Sequence, residues 1–332
     1  MILIFSYSGD LSTDYVIDWL NFYKHPVYRL NSDDFYDSDI SVDIKKNEIL
    51  INGNTLPLKL INAVWFRKFG LKKDFKLLNN KSIDSKHLFQ LCDENYIMFD
   101  LITYLLKNKK WLTNPDKSRL NKGIVLKEAQ LCGLNIPNTI FTNNKNDIIN
   151  LKSNCKELIF KSTFDPIFFE EDKICYSMYT KKLSNNLLDY YMPDKFGFTI
   201  IQDLIDKKYE IRSFYLNGKF YSMAIFSQDD NQTKIDFRNY NMQKPNRTMP
   251  YVLPRDIVAK LNLLLKKLGL NCASIDLLRN IDGEYIFLEI NPVGQFGMVD
   301  FPCNYGIHKK IALELIQFDK NETTLTTKCR KG

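Results

Sequence analysis

The 332-residue chain contains no run of 18 apolar residues, so no transmembrane helix is expected. Its opening, MILIFSYSGD, has no basic stretch ahead of a five-residue apolar run. It reads as a first buried strand rather than a signal peptide. Cysteines are few and unpatterned: Cys92, Cys132, Cys155, Cys175, Cys272, Cys303 and Cys329 are odd in number, scattered and form no C-x-x-C. They read as reduced thiols in a cytoplasmic protein, mostly packing residues. The three histidines, His25, His87 and His308, form no metal or triad signature. No RNA-binding aromatic motif, zinc finger or basic helix is present, so nucleic acid is not an expected partner. Glycine is missing from the whole stretch between Ser162 and Tyr179.

The apolar and charged fractions are those of a soluble globular protein, long enough for two or three domains. Net charge is +7, with basic residues dense between Lys59 and Lys86. Most of these read as solvated surface; the other reading is attraction for polyphosphate or an acidic peptide.

Strand–helix–strand order marks the first 110 residues or so as an α/β domain. Residues 1–6 read as a strand, and Ser12-Thr13 as the cap of a helix carrying Val16, Ile17 and Leu20. Short strands are expected near 27–30, 40–44 and 48–51, with Asn52-Gly53 as a hairpin turn, then at 61–66. A helix over 85–107 would align Leu88, Leu91, Phe99, Ile102 and Leu105. Between 111 and 142 come a strand end, a turn, a helix closed by Gly133 and Pro137, and a strand. Residues 198–228 read as three strands, the last two joined at Asn217-Gly218. Pro254 opens a helix running to Gly269, with Val258, Leu261, Leu264, Leu265 and Leu268 on its core face. A last helix is expected over 306–318, with a disordered tail behind it.

The stretch Cys272–Gln295 organises the rest. Residues 273–279 and Tyr285–Ile290 read as two strands joined at Asp282-Gly283. Residues two apart on a strand share a face, so Glu289 and Asn291 point together, and Asp276 can meet them across the hairpin. Two carboxylates and an amide carbonyl suit Mg²⁺, which binds through one or two carboxylates plus substrate phosphates. The alternative is a pair of solvated strand carboxylates. Lys122 opens a helix, where the dipole does not favour a cation, and so calls for an anionic neighbour or a fully exposed position. Lys161 follows Ile159 and Phe160; it either snorkels to water or meets a ligand. Glu210 and Arg212 lie on one strand face, as a surface ion pair or as ligand contacts.

These segments together resemble the ATP-grasp superfamily. The likeness rests on Lys122 between Asn114-Pro115 and G-L-x-I-P-x-T, Lys161, Q-D-L-I (202–205), E-I-R (210–212), S-I-D-L (274–277) and E-I-N-P-V-G-Q (289–295). V-W-F-R-K (64–68), T-x-x-D-F-R (233–238) and S-T-x-x-V-I-D-W-L (12–20) narrow it to the peptide-maturing members, the microviridin-type (graspetide) macrocyclases and, in particular, the grasp-with-SPASM maturases. The glycine-free segment after Lys161 departs from the glycine-rich phosphate flap of many members, although the peptide-maturing ones share a poor flap.

The resemblance implies an ATP-grasp fold of the α/β (α+β) class: an N-terminal domain (1–112), two α+β subdomains clamping ATP (113–197 and 198–320) and a disordered tail (321–332). It implies ATP and Mg²⁺ as cofactors. Lys122 and Lys161 would hold phosphates, Gln202, Asp203, Leu204 and Ile205 the adenine, and Asp206 or Glu210, with Glu210 favoured, the ribose. Asp276, Glu289 and Asn291 would bind metal, Arg238 and Arg212 would be catalytic, and Arg67 and Lys68 would contact substrate. The implied activity is macrocyclisation of a ribosomally made precursor peptide through ω-ester or ω-amide bonds. The implied partners are that peptide with its leader, a SPASM-type radical enzyme, and a second copy of the chain, since related ligases are often homodimers. Two rival readings share the fold: a ligase adding free amino acids to a peptide or small acid, and a non-catalytic peptide-binding scaffold.

Overall fold

A computed structural model describes residues 1–70, 85–154, 157–163, 168–171, 174–177 and 179–328, with side chains for all of these except 85–89, 154, 168–171, 174–177 and 321–328. Residues 71–84 of the Lys59–Lys86 stretch and residues 164–167, 172–173 and 178 of the glycine-free segment lie outside the described residues, as does the side chain of Leu88. The chain forms two compact units, Met1–Arg119 with Pro292–Asp300 and Gly306–Gly332, and Leu120–Asn291 with Phe301–Tyr305.

In the first unit an apolar opening run makes β1 (Ile2–Ser6), buried at every position. Helix α1 (Leu11–Phe22) leads to β2 (Val27–Asn31), then a short α2 (Asp34–Asp37). Asp10, not Ser12 or Thr13, stands at the N-cap position of this helix, and its side chain makes no capping bond to the helix amides. Thr13 is buried, with its hydroxyl 2.7 Å from Asp10 Oδ2 and 3.0 Å from Ser6 Oγ, so packing outcompetes the cap signal. Next come β3 (Ile40–Asp43), β4 (Glu48–Ile51) and β5 (Asn54–Pro57), a separate antiparallel sheet. Asn52 and Gly53 both take positive φ, +49° and +76°, the primed turn the hairpin requires. β6 (Ala63–Phe66), α3 (Ser85–Leu105) and β7 (Lys110–Leu112) complete a parallel sheet of order β2-β1-β6-β7.

Phe5, Phe66, Phe69 and Phe99 fill the core of this unit, the last two stacked at 4.7 Å. Of the stripe expected on α3, Phe99 and Ile102 are buried, with Leu106 beside them; Leu91 is 38% exposed. A long helix, Ile307–Lys328, returns to this unit, burying Ile307, Ile311, Ala312 and Leu315. It runs past the end expected at 318 and through backbone expected to be disordered. With no glycine or proline from Ile307 to Lys328, nothing in the sequence stops it.

The second unit holds two antiparallel sheets. Helix α4 (Lys122–Leu131), β8 (Thr139–Asn144), α5 (Lys145–Asn154), β9 (Leu158–Ser162), the paired β10 (Phe168–Glu171) and β11 (Ile174–Ser177), then β12 (Lys181–Lys182) and β13 (Lys195–Asp203) come first. They give a four-stranded sheet of order β12-β9-β13-β8 with its own small core at Ile148, Leu158 and Ile201. β14 (Lys207–Leu216), β15 (Lys219–Phe226), β16 (Arg247–Tyr251), α6 (Arg255–Leu268), β17 (Cys272–Asn280) and β18 (Tyr285–Asn291) follow. Their sheet runs β16-β15-β14-β17-β18.

Helices α4 and α6 share one core with the five-stranded sheet: Val125, Leu126 and Ala129 meet Leu261, Leu264 and Leu265 over Ile211, Ile275 and Phe287. Each fully buried aliphatic side chain contributes about 2 kcal/mol. On α6, Ile257 is buried where Val258 and Leu268 were expected; those two are partly buried. Gly269, at φ +69°, ends the helix in a left-handed cap. Among the described residues Cys92, Cys132, Cys272 and Cys303 form no disulfide. Among the described residues no helix is long and apolar enough to cross a membrane.

Candidate active site

The two sheets of the second unit face a cleft, and a row of charged residues crosses the floor of the larger one. Arg212 of β14 pairs in register with Asp276 of β17, which pairs with Glu289 of β18. Arg212 Nη1 donates to both Asp276 oxygens, at 3.0 and 2.8 Å. Just past this pair the register slips: Leu277 pairs with Phe287, leaving Leu288 as the extra residue of a bulge. In a regular strand Phe287 and Glu289 would share a face. The bulge parts them, so Phe287 stays in the core while Leu288 and Glu289 line the cleft. Burial pushes Asp276 up to about 6 against the pull of Arg212, with Glu289 adding to the rise. Burial would raise Glu289 too, but Arg238, Lys161, Lys122 and Arg212 outweigh it and hold this carboxyl below its usual range.

Two lysines reach the cleft from the other side. Lys161, near the end of β9, lines it beside Glu289; burial lowers its pKa, Glu289 opposes the shift and Arg238 adds to it. Lys122 is the first residue of α4. The Asn121 side chain caps that helix, accepting from Gly123 N at 2.9 Å and Ile124 N at 3.1 Å. Lys122 Nζ donates to Ser162 O at 3.1 Å, one residue past Lys161. Both lysines line a narrower pocket that also contains Gln202 and Glu289.

Gln202 and Asp203 end β13, Leu204 and Ile205 lead on toward β14, and all four line the main cleft. Gln202 is 2% exposed, its Nε2 donating to Thr139 Oγ1 at 2.9 Å. Backbone N–H groups of Asp203 and Leu204 donate to Asn138 O at 3.2 Å and Glu157 O at 2.9 Å. Of the two acidic residues considered for a ribose, Asp206 is exposed, while Glu210 is 6% exposed and lines the cleft.

The loop after β15 adds Arg238. Its Nε and Nη2 donate to Asp236 at 2.9 and 2.7 Å, and its Nη1 lies 3.8 Å from Glu289. Asp236 also accepts from Thr180 N at 3.1 Å. Burial would raise Asp236, but its paired bonds to Arg238 take it down to about 2. Asp236 was passed over in the sequence, although it stands inside the T-x-x-D-F-R segment. Lys207, also cleft-lining, was missed because one lysine in a charged stretch gives no local signal.

Asn291 shares the strand face of Glu289 but is exposed, at the last position of β18 opposite Ser274. Among the described residues no group of three His, Cys, Asp or Glu is placed to hold a metal. The expected metal set combines only two of these, Asp276 and Glu289, paired in register, with an amide, Asn291, two residues on from Glu289 along β18. Two paired hard-oxygen donors still fit a cation that takes its other ligands from phosphate and water. Arg67 and Lys68 belong to the first unit. There Arg67 is 2% exposed, donates from Nε to Asp10 at 3.2 Å and from Nη1 to Val293 O and Gly294 O, and lies 5.0 Å from the Phe296 ring.

Known proteins supply a frame for this geometry. Residues 1–119 match the family described as the MvdD pre-ATP grasp domain. A search of curated proteins finds none that matches. Macrocyclase MdnC bound with precursor peptide MdnA, from Microcystis aeruginosa MRC, is similar in structure: TM-score 0.81, 24% identity, covering 96% of this chain and 99% of that one. A Chryseobacterium gregarium RiPP-associated ATP-grasp ligase in complex with ADP and a leader and core peptide gives TM-score 0.83 at 23% identity, covering 95% and 96%. ATP-grasp ligase PsnB complexed with minimal precursor, Mg and ADP gives 0.75 at 16%, covering 96% and 97%. With nearly the whole chain superposed on these structures, its fold is that of the ATP-grasp ligases.

Proposed function

We propose that this chain is an ATP-dependent carboxylate ligase that macrocyclises a ribosomally made precursor peptide. The observation that carries this reading is the convergence of Lys161 and Arg238 in the cleft, and of Lys122 in the narrower pocket that shares Lys161 and Glu289 with it, on the Asp276–Glu289 pair. Three cations around two carboxylates match a polyphosphate chain and a divalent ion. The similar structures bound to ADP, Mg and precursor peptides support the same assignment.

Lys122 and Lys161 neutralise the phosphates, the Gln202–Ile205 segment takes the adenine, and Glu210 takes the ribose. Asp276, Glu289 and Asn291 would hold Mg²⁺, which would supply charge shielding for the phosphates. A side-chain carboxylate oxygen of the peptide attacks the γ-phosphorus, and the bond to the β–γ bridging oxygen breaks, giving ADP and an acyl phosphate. A hydroxyl or amine of the same peptide then attacks the acyl carbon. It loses its proton as phosphate leaves, closing an ω-ester or ω-amide ring. Arg238, held by Asp236 beside Glu289, stabilises the charge that develops on the transferred phosphoryl group. Arg212 acts through Asp276, whose ionised form it favours. Arg67 and Lys68 contribute to substrate binding in the first unit, Arg67 by holding the segment that follows Asn291.

The finer assignment is to the grasp-with-SPASM type, working in the cytoplasm as a homodimer with a SPASM-type radical enzyme as a further partner. The three-part division at 112, 197 and 320 describes its functional domains. S-T-x-x-V-I-D-W-L at 12–20 supports that branch.

The test is to look for a short open reading frame among the neighbouring genes, incubate the protein with the peptide it encodes, ATP and Mg²⁺, and weigh the product. Each ring formed removes one water, about 18 Da, and Lys161→Ala abolishes the loss. A mass gain with free amino acids would move the reading to an amino-acid ligase. Unchanged mass without ADP release would leave a scaffold.

A further inference from the structure

The mechanism above leaves one buried cation of the cleft without a role. Lys207 opens β14 with 8% of its side chain exposed, and it lines the cleft. Its Nζ donates to Glu210 Oε1 and, at 3.2 Å, to Ile235 O. Fully buried Ser227 donates from Oγ to that same Oε1, at 2.9 Å. Among the described residues Oε2 of Glu210 accepts no hydrogen bond, and Glu210 lines the cleft. Burial raises the pKa of this carboxyl, and Lys207 and Ser227 pull against the rise. A carboxylate pinned by two donors on one oxygen cannot rotate away, and its other oxygen is left as an acceptor of fixed direction.

We infer that Lys207 and Ser227 are positioning residues that aim Glu210 Oε2 at a ribose hydroxyl, making the cleft selective for ribonucleotide over deoxyribonucleotide triphosphates. This rests on the nucleotide reading given above. The selectivity follows because a buried acceptor built for a hydroxyl is left unpaired by an analogue that lacks it. Lys207 also ties this acceptor to the Asp236–Arg238 loop. Its second bond ends on Ile235, the residue before Asp236, so ribose recognition and the Arg238 loop share one anchor.

The experiment is equilibrium binding of ATP, 2′-deoxyATP and 3′-deoxyATP, each with Mg²⁺, to the full chain and to Lys207→Met and Ser227→Ala. Wild type is expected to prefer ATP about tenfold or more over at least one deoxy analogue. In both variants that preference narrows to about threefold or less, with the deoxy affinities little changed. A general loss of packing would weaken all three nucleotides together and leave the ratio alone. Thermal melting checks the fold, and Ser227→Ala, which removes only a hydroxyl, decides the matter if Lys207→Met does not fold. Wild type without a preference, or variants that keep it whole, would overturn the inference while ATP binding stands. Failure of wild type to bind any of the three would remove the nucleotide reading and this inference with it.

Discussion

Asp236 illustrates what single residues do here. It spends both oxygens on Arg238 and on the Thr180 amide, and the cation holds it at about 2. A carboxyl lowered from 3.8 to about 2 on folding contributes about 2 kcal/mol, present above the unfolded value and lost as pH falls through the folded one. Asp236→Asn should therefore lower stability to urea by about that much at pH 7, with the gap to wild type closing between pH 4 and about pH 2. A constant gap across that range would mean that the ion pair is not its source. Sequence reading singled out Lys122, Lys161, Arg212, Arg238, Asp276 and Glu289, because each sits in a local motif, and the structure brings them near one another. It did not find that Arg212 spends itself on Asp276, since that contact depends on a strand register 64 residues apart.

At the level of elements, local chemistry was the more legible. Hairpin turns at Asn52-Gly53, Asn217-Gly218 and Asp282-Gly283 fall where positive φ is needed. Gly133 and Gly269 close their helices for the same reason. The bulge at Leu288 had no such signal, because an extra residue in an apolar run looks like any other. Helix α4 offers a test of how an element serves the cleft. Asn121 satisfies two amides at its start and so fixes where Lys122 leaves the backbone. Asn121→Ala should cost about 1 kcal/mol of stability. It should also raise KM for ATP while leaving kcat nearly unchanged, since only ground-state holding is loosened; steady-state kinetics checks this. An equal fall in kcat would give the cap a part in the reaction itself.

At the scale of the whole molecule, the first unit is assembled from both ends of the chain. Its parallel sheet is encoded before residue 120, yet Ile307, Ile311, Ala312 and Leu315 complete its packing. No periodicity within 1–119 announces a missing layer, so the match of those residues to a domain family understates what the unit needs. Residues 1–119 produced alone should show no cooperative thermal transition by circular dichroism, because their apolar face stays in water. A sharp transition in that fragment would show the last helix to be an accessory. In the full chain, Leu315→Ala should cost about 2–5 kcal/mol, as for any well-packed core leucine.

The returning helix also sets a timetable. Translation runs from the first unit into the second and only then reaches Ile307. Some 190 residues separate Arg119 from that helix, and at 5–20 residues per second the wait is roughly ten to forty seconds. The unit that carries the candidate site, encoded later, is thus complete first. For that interval a nascent parallel sheet rich in phenylalanine waits on the ribosome without its cover, and that is when a chaperone would have most to offer it.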